Sequence, residues 1–169
     1  MGPQQYRKVY TWFAARPAAW TALRLANRLL PWVSAGAYLA LLGLLAARWA
    51  AGEGGGWLLA KSVLAPGAAF VGGSALRAAL DRPRPYQQPG FTPLVPKATR
   101  GRSFPSRHAL SGAVIAMAWL PVCPAAAAAL AAVDLALCAL RVLAGVHFVR
   151  DVAAGAALGF LVGWAGTLL

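Results

Sequence analysis

Apolar residues run along this chain in blocks of about twenty, separated by short basic or proline-rich stretches. Residues 9–30 interleave Trp12, Phe13, Trp20, Leu23, Leu25, Leu29 and Leu30 with Arg16, Arg24 and Arg28, a pattern for an amphipathic helix. Such a helix either lies in a membrane interface or packs against the rest of the protein. The first continuous block covers about 32–51 and is closed by Gly52–Gly56. A second covers about 57–76, with Lys61 placed to snorkel and Pro66 placed to kink it. Roughly 20 apolar residues cross the hydrocarbon core of a bilayer, and both blocks qualify. Residues 77–107 break the pattern and read as a loop or re-entrant region, with seven of the sixteen basic residues and six prolines. A short third helix starts near His108 and stops before Pro121, only about 20 Å long. A fourth covers about 125–143 and a fifth about 150–168. Small residues in the last three, among them Ser111, Gly112, Gly155 and Gly159, suit close helix packing in lipid. The expected fold is all-α: an integral membrane helical bundle of about five transmembrane helices plus an N-terminal interfacial amphipathic helix within 1–30. A single membrane-embedded domain is expected over 1–169, with 77–107 as its active-site loop region.

Composition supports the membrane reading. Charged residues make up 12% of the chain, against about a quarter in soluble domains. The formal net charge of +12 would suit nucleic acid, but the cations lie between apolar blocks rather than on a soluble module. There they meet anionic lipid or an anionic substrate, and no nucleic-acid partner is expected. Cys123 and Cys138 sit in apolar blocks without metal-ligand spacing, and read as small buried hydrophobes. Residues 1–30 lack the continuous apolar core of a cleaved signal peptide.

Three polar clusters remain, each at the end of an apolar helix: Arg77 with Arg84-Pro85; Ser103 to His108; and Arg141, His147 and Asp151. Alternating helix direction brings all three to one membrane face, and both histidines of the chain are among them. Arg77, Arg84 and Arg141 offer planar, permanently charged donors that match phosphate oxygens. Ser106, just before a helix, supplies an N-cap, and the backbone N–H groups beyond it form an anion site. His147 and Asp151, four residues apart, can share a helix face. A carboxylate on one ring nitrogen makes the other a better base or nucleophile. His108 could then protonate a leaving oxygen, while the arginines stabilise the transferring phosphoryl group. The scheme needs no metal and no cofactor. Asp134, mid-helix and costly in a membrane, either pairs with a buried basic group or supports the site. Asp81 is placed to orient a neighbouring arginine.

These clusters resemble the type 2 phosphatidic acid phosphatase family, which includes lipid phosphate phosphatases and bacterial undecaprenyl pyrophosphate phosphatases. The family pattern is Lys, six residues, Arg-Pro; then Pro-Ser-Gly-His; then Ser-Arg, five residues, His, three residues, Asp. Here it stands as Arg77 with Arg84-Pro85, as Pro105-Ser106-Arg107-His108, and as Leu140-Arg141 with His147 and Asp151. The resemblance implies that His147 is the nucleophile, oriented by Asp151, with His108 as general acid. It implies that Arg77, Arg84, Ser106 and Arg141 bind substrate phosphate. Arg107 stands where the family has Gly, and its guanidinium either adds a substrate contact or points to lipid. Leu140 removes a hydroxyl, and Arg77 keeps the charge of the Lys it replaces. Six spans are common in the family; here the first is either lacking or replaced by the interfacial helix.

The expected activity is hydrolysis of a phosphomonoester or pyrophosphate on a membrane lipid through a phosphohistidine. The favoured substrate is a polyprenyl pyrophosphate of the undecaprenyl type; the alternative is a phosphatidate or phosphatidylglycerophosphate-type glycerolipid. The partners implied are that lipid phosphate and the bilayer; the oligomeric state is left open. A non-enzymatic protein that binds anionic lipid would explain the charge, but not two histidines and Asp151 falling in register. Hydropathy excludes a soluble haloperoxidase of the same wider superfamily. The N-terminal segment and the site loops hold 14 of 16 basic residues, all but Arg48 and Lys61. The positive-inside rule would turn that face to the cytoplasm, whereas the resemblance implies an extracytoplasmic site. Charge spent on phosphate discounts the rule, and the expectation is a bacterial plasma-membrane protein with its site outside.

Overall fold

The computed structural model describes residues 2–168. It is all-helical, with six α-helices and no strand among those residues. These are α1 (Pro3–Ala14), α2 (Pro17–Ala50), α3 (Gly56–Leu80), α4 (Arg107–Trp119), α5 (Pro124–Leu143) and α6 (Val149–Leu168). A 3-10 turn covers Pro85–Gln87. Four helices, α2, α3, α5 and α6, are long and apolar enough to span a membrane. Large apolar side chains on their outer surfaces, including Leu39, Val71, Leu135 and Phe160, are exposed; a bilayer would cover them.

Two boundaries differ from the sequence expectation. The N-terminal break falls at Ala15 and Arg16, not near Pro31. Proline favours the first turn of a helix and restricts the residue before it. Arg16 is extended (φ −136°, ψ 79°) and Pro17 opens α2. Pro31 lies inside α2, which continues through it for 34 residues, about 51 Å. The expected interfacial helix at 9–30 is therefore the short α1 plus the first turns of a long spanning helix. Likewise, α3 continues to Leu80, so Arg77 sits in its last turn rather than at the head of a loop. Asp81 ends α3 in the left-handed region (φ 35°), and Pro83 prevents resumption.

The expected third span is α4, and its 13 residues reach only about 20 Å, short of a bilayer core of about 30 Å. It is the central helix, packed by α3, α5 and α6 and touched by α2. Ala109, Leu110, Gly112, Val114, Ile115, Ala116 and Met117 are all buried. Glycines of α6 allow the closest approach. A Cβ at Gly155 would overlap the carbonyl oxygen of Ser106, and one at Gly159 that of Leu110. Because α3 and α5 run toward the face from which α4 and α6 depart, the helix ends carrying the polar clusters meet there.

Helix α1 lies at that same face. Tyr6 is buried; its hydroxyl donates to the carbonyl of Leu143 (2.8 Å) and accepts from the Leu94 N–H (3.1 Å). Burial first, offset in part by the Leu94 contact, pushes this phenol up to about 12. Trp20 Nε1 donates to the Leu94 carbonyl (3.0 Å). Tyr6, Leu23, Leu94, Ala144 and Val146 form one cluster, so the N-terminal helices clamp the 88–96 loop onto the connector that carries His147. Gly145 is required there. Its φ is +75°, and a Cβ would lie 2.7 Å from the Tyr6 hydroxyl.

Candidate active site

Arg77, Arg84, Ser103, Ser106, Arg141, His147 and Asp151 are all buried at this face. They arrive from α3, the 81–106 loop, the N-cap of α4, α5, the α5–α6 connector and the first turn of α6. Arg77 Nη1 donates to the Pro105 carbonyl (2.7 Å). Arg84 donates through Nε to the Gly101 carbonyl (3.0 Å) and through Nη1 to the Val146 carbonyl (3.4 Å). Gln87 Oε1 accepts from the N–H groups of Arg84 (2.8 Å) and Gly101 (2.9 Å), holding the loop closed around Arg84. Asp81 does not orient a guanidinium; its Oδ1 accepts the Arg102 backbone N–H (3.0 Å) and so fixes the same loop.

Asp151 is the third residue of α6, and its Oδ2 accepts the Phe148 N–H (3.0 Å), half of a capping box. A carboxylate in the first turn also suits the helix dipole. His147 precedes α6, so the His147–Asp151 pair is formed across the helix start rather than along a helical face. His147 Nδ1 lies 3.6 Å from Asp151 Oδ2, beyond hydrogen-bond distance. Ser103, fully buried, lies between them. Its hydroxyl donates to Asp151 Oδ2 (2.5 Å) and stands 3.4 Å from His147 Nδ1. Sequence reasoning had Ser103 only as a member of a run; a small polar loop residue with no periodic signal carries no mark of this position. Burial pushes the His147 ring below its ordinary value, against the opposing pull of the Asp151 hydrogen bond, and Arg84 adds to the lowering.

Two polar groups here are buried without a hydrogen-bond partner, Ser106 Oγ and Arg141 Nε; Asp151 Oδ1 has only the exposed Arg150 Nε, at 3.8 Å. Ser106 holds the N-cap position of α4, but its hydroxyl makes no capping bond; its backbone N–H donates to the Asp151 carbonyl (2.8 Å). The expected cap is thus positional only, and the hydroxyl is free for a ligand. Unpaired buried donors are costly, and an anion among three guanidiniums and a helix N-terminus would satisfy them.

His108 and Arg107 stand apart from the buried ring. His108 is half-buried, and the charges of Arg141, Lys97, His147 and Arg107 all act on it. Arg107 is exposed, its guanidinium 5.7 Å from the centre of the Phe70 ring. Both line a groove of about 290 Å³ between α2, α3, α4 and α5, whose other walls include the apolar Pro31, Phe70, Ile115 and Leu137 and the hydroxyl-bearing Ser34 and Ser111. Lys97 belongs to none of the three motif clusters. Its ammonium is partly withdrawn from solvent, and that withdrawal, with the charges of Arg141, Arg84 and Arg107, pushes its pKa down. Asp134 is buried against Gly112, its Oδ1 has no partner, and it forms no ion pair among the described residues. The basic partner expected for it is not there.

The model of the PAP2 superfamily matches residues 55–169, two thirds of the chain and all three polar clusters. The chain belongs to the PAP2 superfamily. It is accordingly an integral membrane enzyme of the lipid phosphatase class. Helices α1 and α2 lie outside the matched region. Two solved structures are similar over nearly the whole chain. The crystal structure of Aquifex aeolicus LpxE matches at 25% identity and a TM-score of 0.60, covering 88% of this chain and 94% of that one. The transmembrane PAP2 type phosphatidylglycerolphosphate phosphatase from Bacillus subtilis matches at 23% identity and a TM-score of 0.52, covering 98% and 94%. The second likeness speaks for the fold alone. Comparison with curated proteins found no match.

Proposed function

We propose that this chain, as one membrane-embedded unit over 1–169, removes the terminal phosphate of a membrane lipid through a phosphohistidine at His147. The observation that carries this reading is the convergence of Arg77, Arg84, Arg141, His147 and Asp151, all buried, at one face. Asp151, with Ser103, holds the Nδ1 side of His147, leaving Nε2 for attack on phosphorus. The bond from phosphorus to the bridging oxygen breaks as the Nε2–phosphorus bond forms. His108 gives the departing oxygen its proton and then takes one from the water that hydrolyses the phosphohistidine. Arg77, Arg84 and Arg141 hold the three non-bridging oxygens, and the Ser106 hydroxyl and the α4 N-terminus add neutral donors. Arg107 contributes from the groove side.

The favoured substrate is a polyprenyl diphosphate of the undecaprenyl type. The alternative is a phosphatidate or phosphatidylglycerophosphate-type glycerolipid. The test is phosphate release by detergent-solubilised protein offered each lipid, in excess chelator, with His147→Ala alongside. Activity is expected to persist in chelator, to fall by at least about 10³-fold in the variant, and to leave an acid-labile phosphoenzyme only in the parent. Full activity of His147→Ala would end the nucleophile assignment. On this reading the site faces the extracytoplasmic side of a bacterial plasma membrane. A cysteine at the exposed Thr92 position should then react with an impermeant thiol reagent in intact cells; protection until lysis would reverse the orientation.

A further inference from the structure

Arg141 is held by the last turn of α5, but His147 stands on the short connector between α5 and α6. A chain leaving a helix is fixed only as far as its last carbonyls find donors. Here the N–H groups of Val146 and His147 both turn back to the Arg141 carbonyl (3.2 and 3.3 Å), while those of Ala144 and Gly145 reach Leu140 and Val142. The Leu143 carbonyl is left over. The Tyr6 hydroxyl donates to it at 2.8 Å, from 137 residues away in the chain. The same oxygen accepts the Leu94 N–H (3.1 Å), and the Val95 N–H donates to the Ala144 carbonyl (3.4 Å). One hydroxyl thus joins α1, the 94–95 segment and the connector.

The Tyr6 ring is equally fixed. It is 2% exposed and stacks on Phe91 with 4.2 Å between ring centres. Tyr6, Phe91, Gly145 and His147 line one cavity of only about 10 Å³, so the histidine and the tyrosine are close neighbours with almost no slack between them. Helix α1 lies outside residues 55–169, the superfamily region, yet it reaches the segment that carries the nucleophile. We propose that Tyr6 is a positioning residue of the phosphatase, its hydroxyl fixing the connector so that His147 stands in line with a phosphoryl group held by the arginines. This rests on the functional reading above. Tyr6 touches neither substrate nor the reacting atoms; it acts through the connector. A nucleophile displaced by about 1 Å can cost about 10²-fold in rate, whereas the arginines that bind the phosphate stay on their own elements.

The test is Tyr6→Phe in the full chain in detergent, with kcat and KM for phosphate release read separately. Phenylalanine keeps the stack on Phe91 and removes only the hydroxyl. The variant is expected to lose at least about tenfold in kcat, with KM and inhibition by inorganic phosphate within about threefold of the parent. The acid-labile phosphoenzyme should form more slowly by the same factor as kcat. Tyr38→Phe is the control for lost stability. Its hydroxyl also donates to a backbone carbonyl, that of Ser62 (3.0 Å), but between α2 and the far end of α3. It should lower the unfolding midpoint and leave kcat within about twofold. Parental kcat in Tyr6→Phe, or a fall that Tyr38→Phe matches, overturns the positioning role and leaves the phosphatase reading intact. Where Tyr6→Phe is not recovered folded, Trp20→Phe carries the test, because it removes the other tie to Leu94, the Nε1 bond to its carbonyl (3.0 Å). The same split is expected there at about threefold in kcat, and an unchanged kcat overturns the proposal. A parent protein that releases no phosphate from either lipid overturns the phosphatase reading itself, and the role of Tyr6 with it.

Discussion

Ser103→Ala separates two jobs that one hydroxyl performs. Ser103 and Asp151 are 0% and 1% exposed, and the bond between them is 2.5 Å. A hydrogen bond to a charged group contributes about 1.5–3 kcal/mol, and Oδ2 would keep the Phe148 N–H as its donor. The variant should therefore lose about 1.5–3 kcal/mol of stability, read as a lower midpoint of thermal unfolding in detergent. Its effect on His147 runs the other way. With the hydroxyl gone, Oδ2 is free to close the 3.6 Å gap to Nδ1. Its charge, less satisfied elsewhere, then favours the protonated imidazole more strongly. The His147 pKa rises, so the acid limb of kcat/KM moves to higher pH, while the rate on the plateau falls by less than about tenfold. The assay is phosphate release across a pH series for parent and variant. An acid limb that stays fixed or moves down would refute the claim that Ser103 mediates between Asp151 and His147, even if stability falls as expected.

Three further outcomes follow from the geometry. In the parent enzyme the His147 ring is held below the ordinary histidine value of 6.5 by burial, so the unfolded chain takes up its proton first. Stability and activity should both be intact above that value and be lost as pH falls through the folded pKa; an activity limb at or above 6.5 would contradict this. Gly155→Ala should push the N-cap of α4 away from α6, since the new Cβ overlaps the Ser106 carbonyl. A loss of more than tenfold in kcat together with a lower unfolding midpoint is expected, and parental kinetics would show that the interface can give. Asp134→Asn keeps the shape beside Gly112 and removes an unpaired buried carboxylate. It should raise the unfolding midpoint and leave kcat/KM within about twofold, the cost of an unsatisfied charged group being about 1–3 kcal/mol or more; a large activity loss would instead tie Asp134 to the site.

The apolar blocks, the turns between them and the polar side chains that gather at one face were legible in the sequence, because each depends on local rules. About twenty apolar residues form a helix in lipid whatever their neighbours, and arginines and histidines cluster visibly when the rest of the chain is nearly free of charge. The helix ends 119, 143 and 168 agree with expectation within a residue or two. The position of the N-terminal break was not legible. Pro17 and Pro31 both offer one, and only packing of α1 against the connector after α5, through Tyr6 and Leu143, distinguishes them. Nor was the role of α4. By composition it resembles a short span, yet it is the core of the bundle, because Gly155 and Gly159 let α6 approach it.

The sequence by itself determined that the chain crosses a membrane, and that Arg77, Arg84, Arg141, His108, His147 and Asp151 lie at one end of its helices. The alternation of helix direction decides that much without knowledge of distances. Only the tertiary structure decided which of those groups are buried together and which stand outside. It withdrew Arg77, Arg84 and Arg141 into a ring with His147, left Arg107 at the mouth of a lipid-sized groove, and set Ser103 between the histidine and its carboxylate. These are matters of a few ångströms between segments far apart in the chain. They are fixed by how closely α4 and α6 pack and by how the loop closes over Arg84, and no periodicity along the chain carries that information.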